Sequence, residues 1–426
     1  MWSKLRILKA ITFLVVFFMT NVISAKSRNV HNMSEIDSDS ITNPARDNNI
    51  LSGKRFVHRI GIDLRPEYII PANPFLKGEN EKIQPIRNSF STHLKYSFQS
   101  HQNTNMDRIF GGAYQGIGLA YYTFGEKKCL GDPIAFYLFQ GARLAHLNYR
   151  ISLNYEWNFG LSAGWKPHDY ETNYYNTIIG AKINAYINTN FYLNWVLSRK
   201  LDLMTGITLT HFSNGNTRFP NAGLNSVGLK AGLVYNFNRK NPLLRETSFL
   251  TPIQNFPRHI SYDLVLFGSW RRKGIAIGEE RIPSPHSYNV LGFNFAPMYN
   301  IGYKFRTGVS LDGYYDGSAN IYVPPYIVGT EPQFFKPPFR EQLALGLSGR
   351  AEYVMPYFSV NFGLGANILH SGGDLKAFYQ ILALKINVTR NSFIHIGYKL
   401  KNFETPNFLM LGIGYRFNNK YPSLRH

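Results

Sequence analysis

The stretch "RISLNYEWNFGLSAGW", residues 150–165, decides the fold. Its odd positions hold Ile151, Leu153, Tyr155, Trp157, Phe159, Leu161, Ala163 and Trp165. Its even positions hold Arg150, Ser152, Asn154, Glu156, Asn158, Gly160, Ser162 and Gly164. Successive side chains of a strand point to opposite faces, so this is one strand with an apolar face and a polar or small one. A strand of a soluble protein runs about 5–6 residues. One that crosses a bilayer at a tilt needs about 9–11. Alternation longer than either predicts a transmembrane barrel strand with its apolar side turned outward.

The same grammar recurs. In "YFSVNFGLGANI" (357–368), Phe358, Val360, Phe362, Leu364, Ala366 and Ile368 share a face. In "FLMLGIGYRF" (408–417), Leu409, Leu411, Ile413, Tyr415 and Phe417 do. Strands are expected near 56–65, 91–100, 114–124, 133–146, 149–165, 177–197, 200–213 and 222–238. A second set is expected near 259–271, 288–297, 299–313, 343–355, 357–368, 374–389, 392–401 and 407–418. Long connections (66–90, 125–132, 166–176, 214–221, 272–287, 314–342) fall at one end, and tight turns such as 198–200 and 389–391 mostly fall at the other. That asymmetry is the outer-membrane pattern of long outer loops and short periplasmic turns. Segments 101–113 and 239–258 break it, being long but on the short-turn side. The fold expected is all-β, about 16 antiparallel strands in two eight-stranded halves, as tandem barrels or as one large barrel.

Ahead of the strands, "MWSKLRILKAITFLVVFFMTNVISAKS" reads as a secretory leader: a basic n-region, an apolar core too short to span, and a small-residue end at Ser24-Ala25. Residues 1–25 are therefore expected to be removed, and 26–54 form a polar, disordered lead-in. The first barrel half takes 55–238, a periplasmic linker 239–257, the second half 258–418 and a tail 419–426. The single cysteine, Cys129, excludes an internal disulfide in a monomer. The formal charge of +20 would suggest nucleic acid in a cytosolic chain. Behind a leader, anionic lipid of the outer membrane is the expected partner, and nucleic acid is set aside.

Chemistry concentrates in "GITLTHFSNGNTRFPNAGLNSVGLKAGLVYNF", residues 206–237. Counting by twos places His211 and Ser213 on the apolar face with Leu201, Leu203, Ile207 and Leu209. On the returning strand Asn225 shares the face of Val227, Leu229 and Leu233. A hairpin register that pairs His211 with Asn225 also pairs Ser213 with Gly223, with opposed Cβ atoms about 4.5–5.5 Å apart. A hydroxyl, an imidazole and an orienting amide then lie in the order of a hydrolase site, facing lipid. Such placement suits a substrate that is itself a lipid. "HDYETNYY" (168–175) has no ligand spacing, and neither metal nor cofactor is implied.

His-x-Ser-Asn at 211–214 followed by Pro-Asn-x-Gly at 220–223 resembles the lipid A 3-O-deacylase (PagL) family of outer-membrane enzymes. "GDPIAFYLFQGARL" and "NYEWNFGLSAGW" upstream are similar to Bacteroidetes relatives of that family. The likeness covers roughly 54–238. It implies an eight-stranded barrel with a Ser-His-acid site on its outer surface, removing the ester-linked acyl chain at position 3 of lipid A. On that pattern Ser213 is the nucleophile and His211 the base. The family's acid falls on Asn225, which can orient an imidazole but carries no charge. Asn214, Gly215 and Asn221 are candidate donors to the oxyanion. Lys127, Lys128, Lys166, Arg218, Arg271, Arg272 and Lys273 are candidates for lipid A phosphates or core sugars, Arg218 foremost. Aligning Pro220-Asn221 with Pro406-Asn407 sets Gly397 opposite His211 and Lys399 opposite Ser213, so the second half is expected to lack the site; chance similarity of loop and strand is the alternative. The functional alternative is a catalytically silent barrel with a transport or structural role.

Overall fold

In a computed structural model, the structure describes residues 56–422 apart from 102–103, 240–251, 278–279, 326–329, 331, 377 and 403–404. The expected leader, the lead-in and most of the linker lie outside the described residues. The first eight strands are β1 (Phe56–Ile69), β2 (Asn88–Ser100), β3 (Tyr114–Thr123), β4 (Gly131–His146), β5 (Ile151–Trp165), β6 (Ile183–Val196), β7 (Leu201–Ser213) and β8 (Leu224–Asn236). After them come β9 (His259–Arg271) and a small hairpin of β10 (Gly274–Ile277) with β11 (Glu280–Pro283). The chain then runs through β12 (Tyr288–Asn300), β13 (Phe305–Asp316), β14 (Leu343–Val354), β15 (Phe358–His370), β16 (Phe378–Asn387), β17 (Ser392–Lys401) and β18 (Thr405–Phe417).

Closure answers the question left open by the strand count. β8 pairs back on β1, with Tyr235 opposite Ile60, and β18 pairs back on β9, with Ile413 opposite Leu266. The chain is two closed antiparallel barrels of eight strands each. Among the described residues no helix is long and apolar enough to cross a membrane.

The alternation does what the sequence predicts. Leu161 is 61% exposed and its neighbour Ser162 is 1% exposed. Ile60, Ile62 and Leu64 face out from β1, and Leu347 and Ile413 face out in the second barrel. Eight strands leave an interior just wide enough for side chains to fill. Here the filling is ionic. In the first barrel Asp63 meets Arg65 at 2.9 Å, Lys95 at 2.8 Å and Lys230 at 3.4 Å, and Glu156 meets Lys95 at 3.2 Å and Lys230 at 3.5 Å. In the second, Asp263 and Glu352 are held by Lys385 at 2.8 and 2.6 Å and by Arg416 at 2.6 and 3.1 Å, and Arg306 adds a contact to Glu352 at 2.8 Å. Such pairing offsets the cost of removing these charges from water.

Several expectations need correction. Trp165 is not on the lipid face. Gly164 adopts φ +102°, open to glycine at little cost, and the register with β4 shifts between Gly131 and Ile134. The strand end therefore turns inward, and Trp165 joins Phe124, Tyr122, Tyr186 and Phe212 in an aromatic plug at the long-loop end. β6 begins at Ile183, not near 177, because Asn176 accepts from the amides of Ile178 and Ile179, which tuck into the core as loop. The residue-level repeat also fails. Lys399 and His395 point into the second barrel while Ile394 and Ile396 face out, so Gly397 shares the inward face. His211 and Ser213 face outward. An offset of one residue exchanges the faces of a strand, and the alignment matched opposite faces.

The long inner connection 101–113 has a role. Its helix Asn105–Phe110, capped by Thr104, sends Ile109 and Phe110 into a cluster with Tyr155 of β5 and Met355 of the β14–β15 turn. Tyr155 thus faces out of the first barrel yet is buried, its hydroxyl 3.4 Å from that of Tyr353.

Candidate active site

The β7–β8 hairpin carries the candidate residues at its long-loop end. Phe212 is completely buried in the aromatic plug, its ring 4.9 Å from Trp165 and 5.0 Å from Tyr122. Leu224 is its inward partner on β8. These two anchors hold the alternation, so His211 and Ser213 on one strand and Asn225 on the other must face outward. His211 and Asn225 are directly opposed.

His211 Nε2 lies 2.9 Å from Ser213 Oγ, and His211 Nδ1 lies 2.7 Å from Asn225 Oδ1. A carbonyl oxygen only accepts, so Nδ1 carries the ring proton and donates it to Asn225. Nε2 is then the bare nitrogen, and the Ser213 hydroxyl donates to it. One amide oxygen thereby selects the tautomer that a general base requires. Among the described residues no carboxylate contact to His211 is seen; the position an acid would take is occupied by Asn225.

Ser213 and Gly223 do not form the ladder pair expected from the register. Pairing ends at Phe212 and Leu224, and Gly223 leaves the ladder at φ +72°. A Cβ there would come within 3.2 Å of both His211 Cε1 and the Phe212 carbonyl oxygen. Glycine therefore lets the backbone pass close beside the imidazole.

The loop after Ser213 is tied by its own asparagines. The Asn214 amide nitrogen donates to Asn221 Oδ1 at 2.9 Å, and Asn221 Nδ2 donates to Asn216 Oδ1 at 3.1 Å. Asn221 thus spends both side-chain atoms inside the loop. Asn214 Oδ1 accepts from the Arg218 amide at 3.4 Å, while Asn214 Nδ2 is buried without a partner. That nitrogen is a side-chain donor of this loop without an acceptor among the described residues. Gly215, at φ +63°, packs against Leu409 of the second barrel.

The basic candidates divide likewise. Arg271 is bound to Asp316 at 3.0 Å and Asn407 at 2.6 Å. Arg272 caps the Ser284 carbonyl at 2.8 Å, Lys273 pairs with Asp374, and Lys127 lies 3.9 Å from Asp132. Lys128, Lys166 and Arg218 are exposed. Sequence reasoning missed Asn216, Asn407 and Leu409, whose contacts across the two halves join residues 191 or more positions apart and leave no local signal.

Residues 84–234 match the family described as lipid A 3-O-deacylase (PagL), and residues 260–419 match that described as acyloxyacyl hydrolase, C-terminal domain. No curated protein matches the chain. Among solved structures, the outer membrane enzyme PagL is similar at 15% identity, over 41% of this chain and 97% of that one, with a TM-score of 0.25. Neisserial surface protein A is similar at 8% identity, over 42% and 97%, with a TM-score of 0.28. With both halves matched in tandem, this outer-membrane β-barrel chain belongs to the PagL and acyloxyacyl hydrolase family.

Proposed function

We propose that the protein hydrolyses an ester-linked acyl chain of lipid A in the outer leaflet, with Ser213, His211 and Asn225 as its catalytic unit. The observation that carries this reading is the unbroken hydrogen-bonded line Ser213–His211–Asn225 on the face of the hairpin opposite the inward Phe212 and Leu224. A buried lumen site would serve a soluble substrate; an outward one meets a lipid in place.

Ser213 Oγ attacks the ester carbonyl carbon as its proton passes to His211 Nε2. Asn214 Nδ2 donates to the oxyanion. The carbon–oxygen ester bond then breaks, and the imidazolium returns the proton to the departing sugar hydroxyl. Water, deprotonated by His211, attacks the acyl-serine and frees the fatty acid and the Ser213 hydroxyl. Asn225 keeps the ring in register and tautomer throughout. The exposed Lys128, Lys166 and Arg218 are suited to the anionic headgroup. Because the orienting group is an amide, the silent-barrel alternative keeps a specific basis. Mass spectrometry of lipid A incubated with purified protein tests both. Loss of one acyl chain, abolished in Ser213→Ala, is expected; intact lipid A with the folded wild-type protein would favour the silent barrel.

A further inference from the structure

The loop that follows Ser213 is fastened by the second barrel. We propose that the second barrel is the positioning element of the site, acting through Arg271, Asn407 and Asn216; this rests on Ser213 being the nucleophile.

The connection is continuous. Arg271, at the end of β9, is held by Asp316 and donates to Asn407 Oδ1 at 2.6 Å. The Asn407 carbonyl accepts from Asn216 Nδ2 at 3.1 Å. Asn216 Oδ1 accepts from Asn221 Nδ2 at 3.1 Å, and Asn221 Oδ1 accepts from the Asn214 amide at 2.9 Å, one residue beyond Ser213. The second barrel takes hold of Asn216 twice, since the Arg272 amide also donates to the Asn216 carbonyl at 3.0 Å. Packing follows the same seam. A Cβ on Gly215 would lie 2.5 Å from Leu409 Cγ, and one on Gly274 would lie 2.5 Å from the Phe219 ring.

A local irregularity makes the link available. In the β17–β18 ladder Lys399 pairs with Phe408 and Leu400 with Pro406, so Asn407 is skipped. The bulge leaves its carbonyl free for Asn216. Bulges recur where a strand must present a group outside its own ladder. Without such ties, a polar loop at a hairpin end would sample many conformations. With them, Asn214 and the backbone after Ser213 are set before substrate arrives, which is where a misplacement of about 1 Å costs on the order of 100-fold.

Two full-chain variants cut the link from opposite sides. Asn216→Asp keeps an acceptor for Asn221 Nδ2 and tolerates the φ of +65°, but sets an oxygen against the Asn407 carbonyl. Arg271→Ala releases Asn407. Each is expected to lower kcat for lipid A deacylation by about 10–100-fold with KM within about twofold. The double variant should be no worse than the poorer single one, and Arg271→Lys should recover part of the loss. Trypsin provides a readout independent of turnover, since Arg218 is exposed on this loop. Cleavage after Arg218 should accelerate in both variants while heat-modifiable gel mobility stays that of the wild type. Unchanged kcat and unchanged cleavage in folded variants would overturn the proposal. If wild-type protein and Ser213→Ala are equally inactive, the catalytic reading falls instead. Cleavage after Arg218 then decides alone: acceleration upholds the fastening, and an unchanged rate removes it.

Discussion

At the scale of the residue, the proposed site turns on an amide, Asn225, in the place where the resemblance implies an acid. Asn225 Oδ1 provides one of the two things a carboxylate gives a histidine: an acceptor that fixes Nδ1–H and so leaves Nε2 to take the Ser213 proton. It cannot provide the charge that stabilises the imidazolium formed during attack. The two contributions separate by substitution. Ser213→Ala and His211→Ala each remove a member of a cooperating unit and should lower deacylation by roughly 10³–10⁶-fold. Asn225→Ala should cost less, because only orientation is lost. Asn225→Glu should hold or raise kcat, since charge is added where the acceptor already sits. Steady-state rates of the four variants on purified lipid A check this order. A dead Asn225→Glu beside a fully active Asn225→Ala would place the orienting group elsewhere.

At the scale of the element, a strand in these barrels has two unlike faces. Outside is hydrocarbon; inside is a packed, hydrogen-bonded filling. On β5, Leu161→Arg puts a charge into lipid and should destabilise assembly by about 2–4 kcal/mol if near the midplane. The loss of the heat-modifiable band in outer-membrane fractions measures it. An alternating pattern alone would make the neighbouring inner position tolerant. The structure says otherwise: Ser162 donates to the Asn184 carbonyl at 3.1 Å and accepts from Trp165 Nε1 at 2.9 Å. Ser162→Arg has no space there, so it too should fail to assemble, by overpacking. Wild-type assembly of Ser162→Arg would show a roomier lumen than the filled one described. The hairpin obeys the same logic, because Phe212 plugged inward is what presents His211 and Ser213 outward.

At the scale of the whole molecule, closure and contact are separate matters. No strand of the second half enters the β8–β1 closure, so a fragment of residues 1–240 is expected to fold as a barrel and show its own heat-modifiable shift. Its loop would lack Asn407, Arg272, Leu409 and Gly274, and deacylation should be at least about tenfold slower than in the full chain. A fragment that never folds would make the second barrel a requirement for closure. Barrel strands tilt by about 35–45° from the axis. Contact between the barrels accordingly involves different strands at the two ends: β5 and the β14–β15 turn at the inner end, the β7–β8 loop and β18 at the outer.

The sequence by itself determined what depends on neighbours along the chain. Period-two alternation gave the membrane barrel and its lipid face. The hairpin register opposed His211 to Asn225, and the His-x-Ser spacing put an imidazole and a hydroxyl on one side. Tertiary structure decided what depends on strands meeting far along the chain. Whether sixteen strands closed once or twice rested on β8 finding β1 instead of β9. A left-handed Gly164 turned Trp165 inward, and a one-residue offset placed Lys399 inside the second barrel where the repeat would have put it outside. A single bulge at Asn407 set which carbonyl was left for Asn216. Alternation is a local rule that one bulge or one glycine reverses, and such reversals are set by pairing partners that no window of sequence contains.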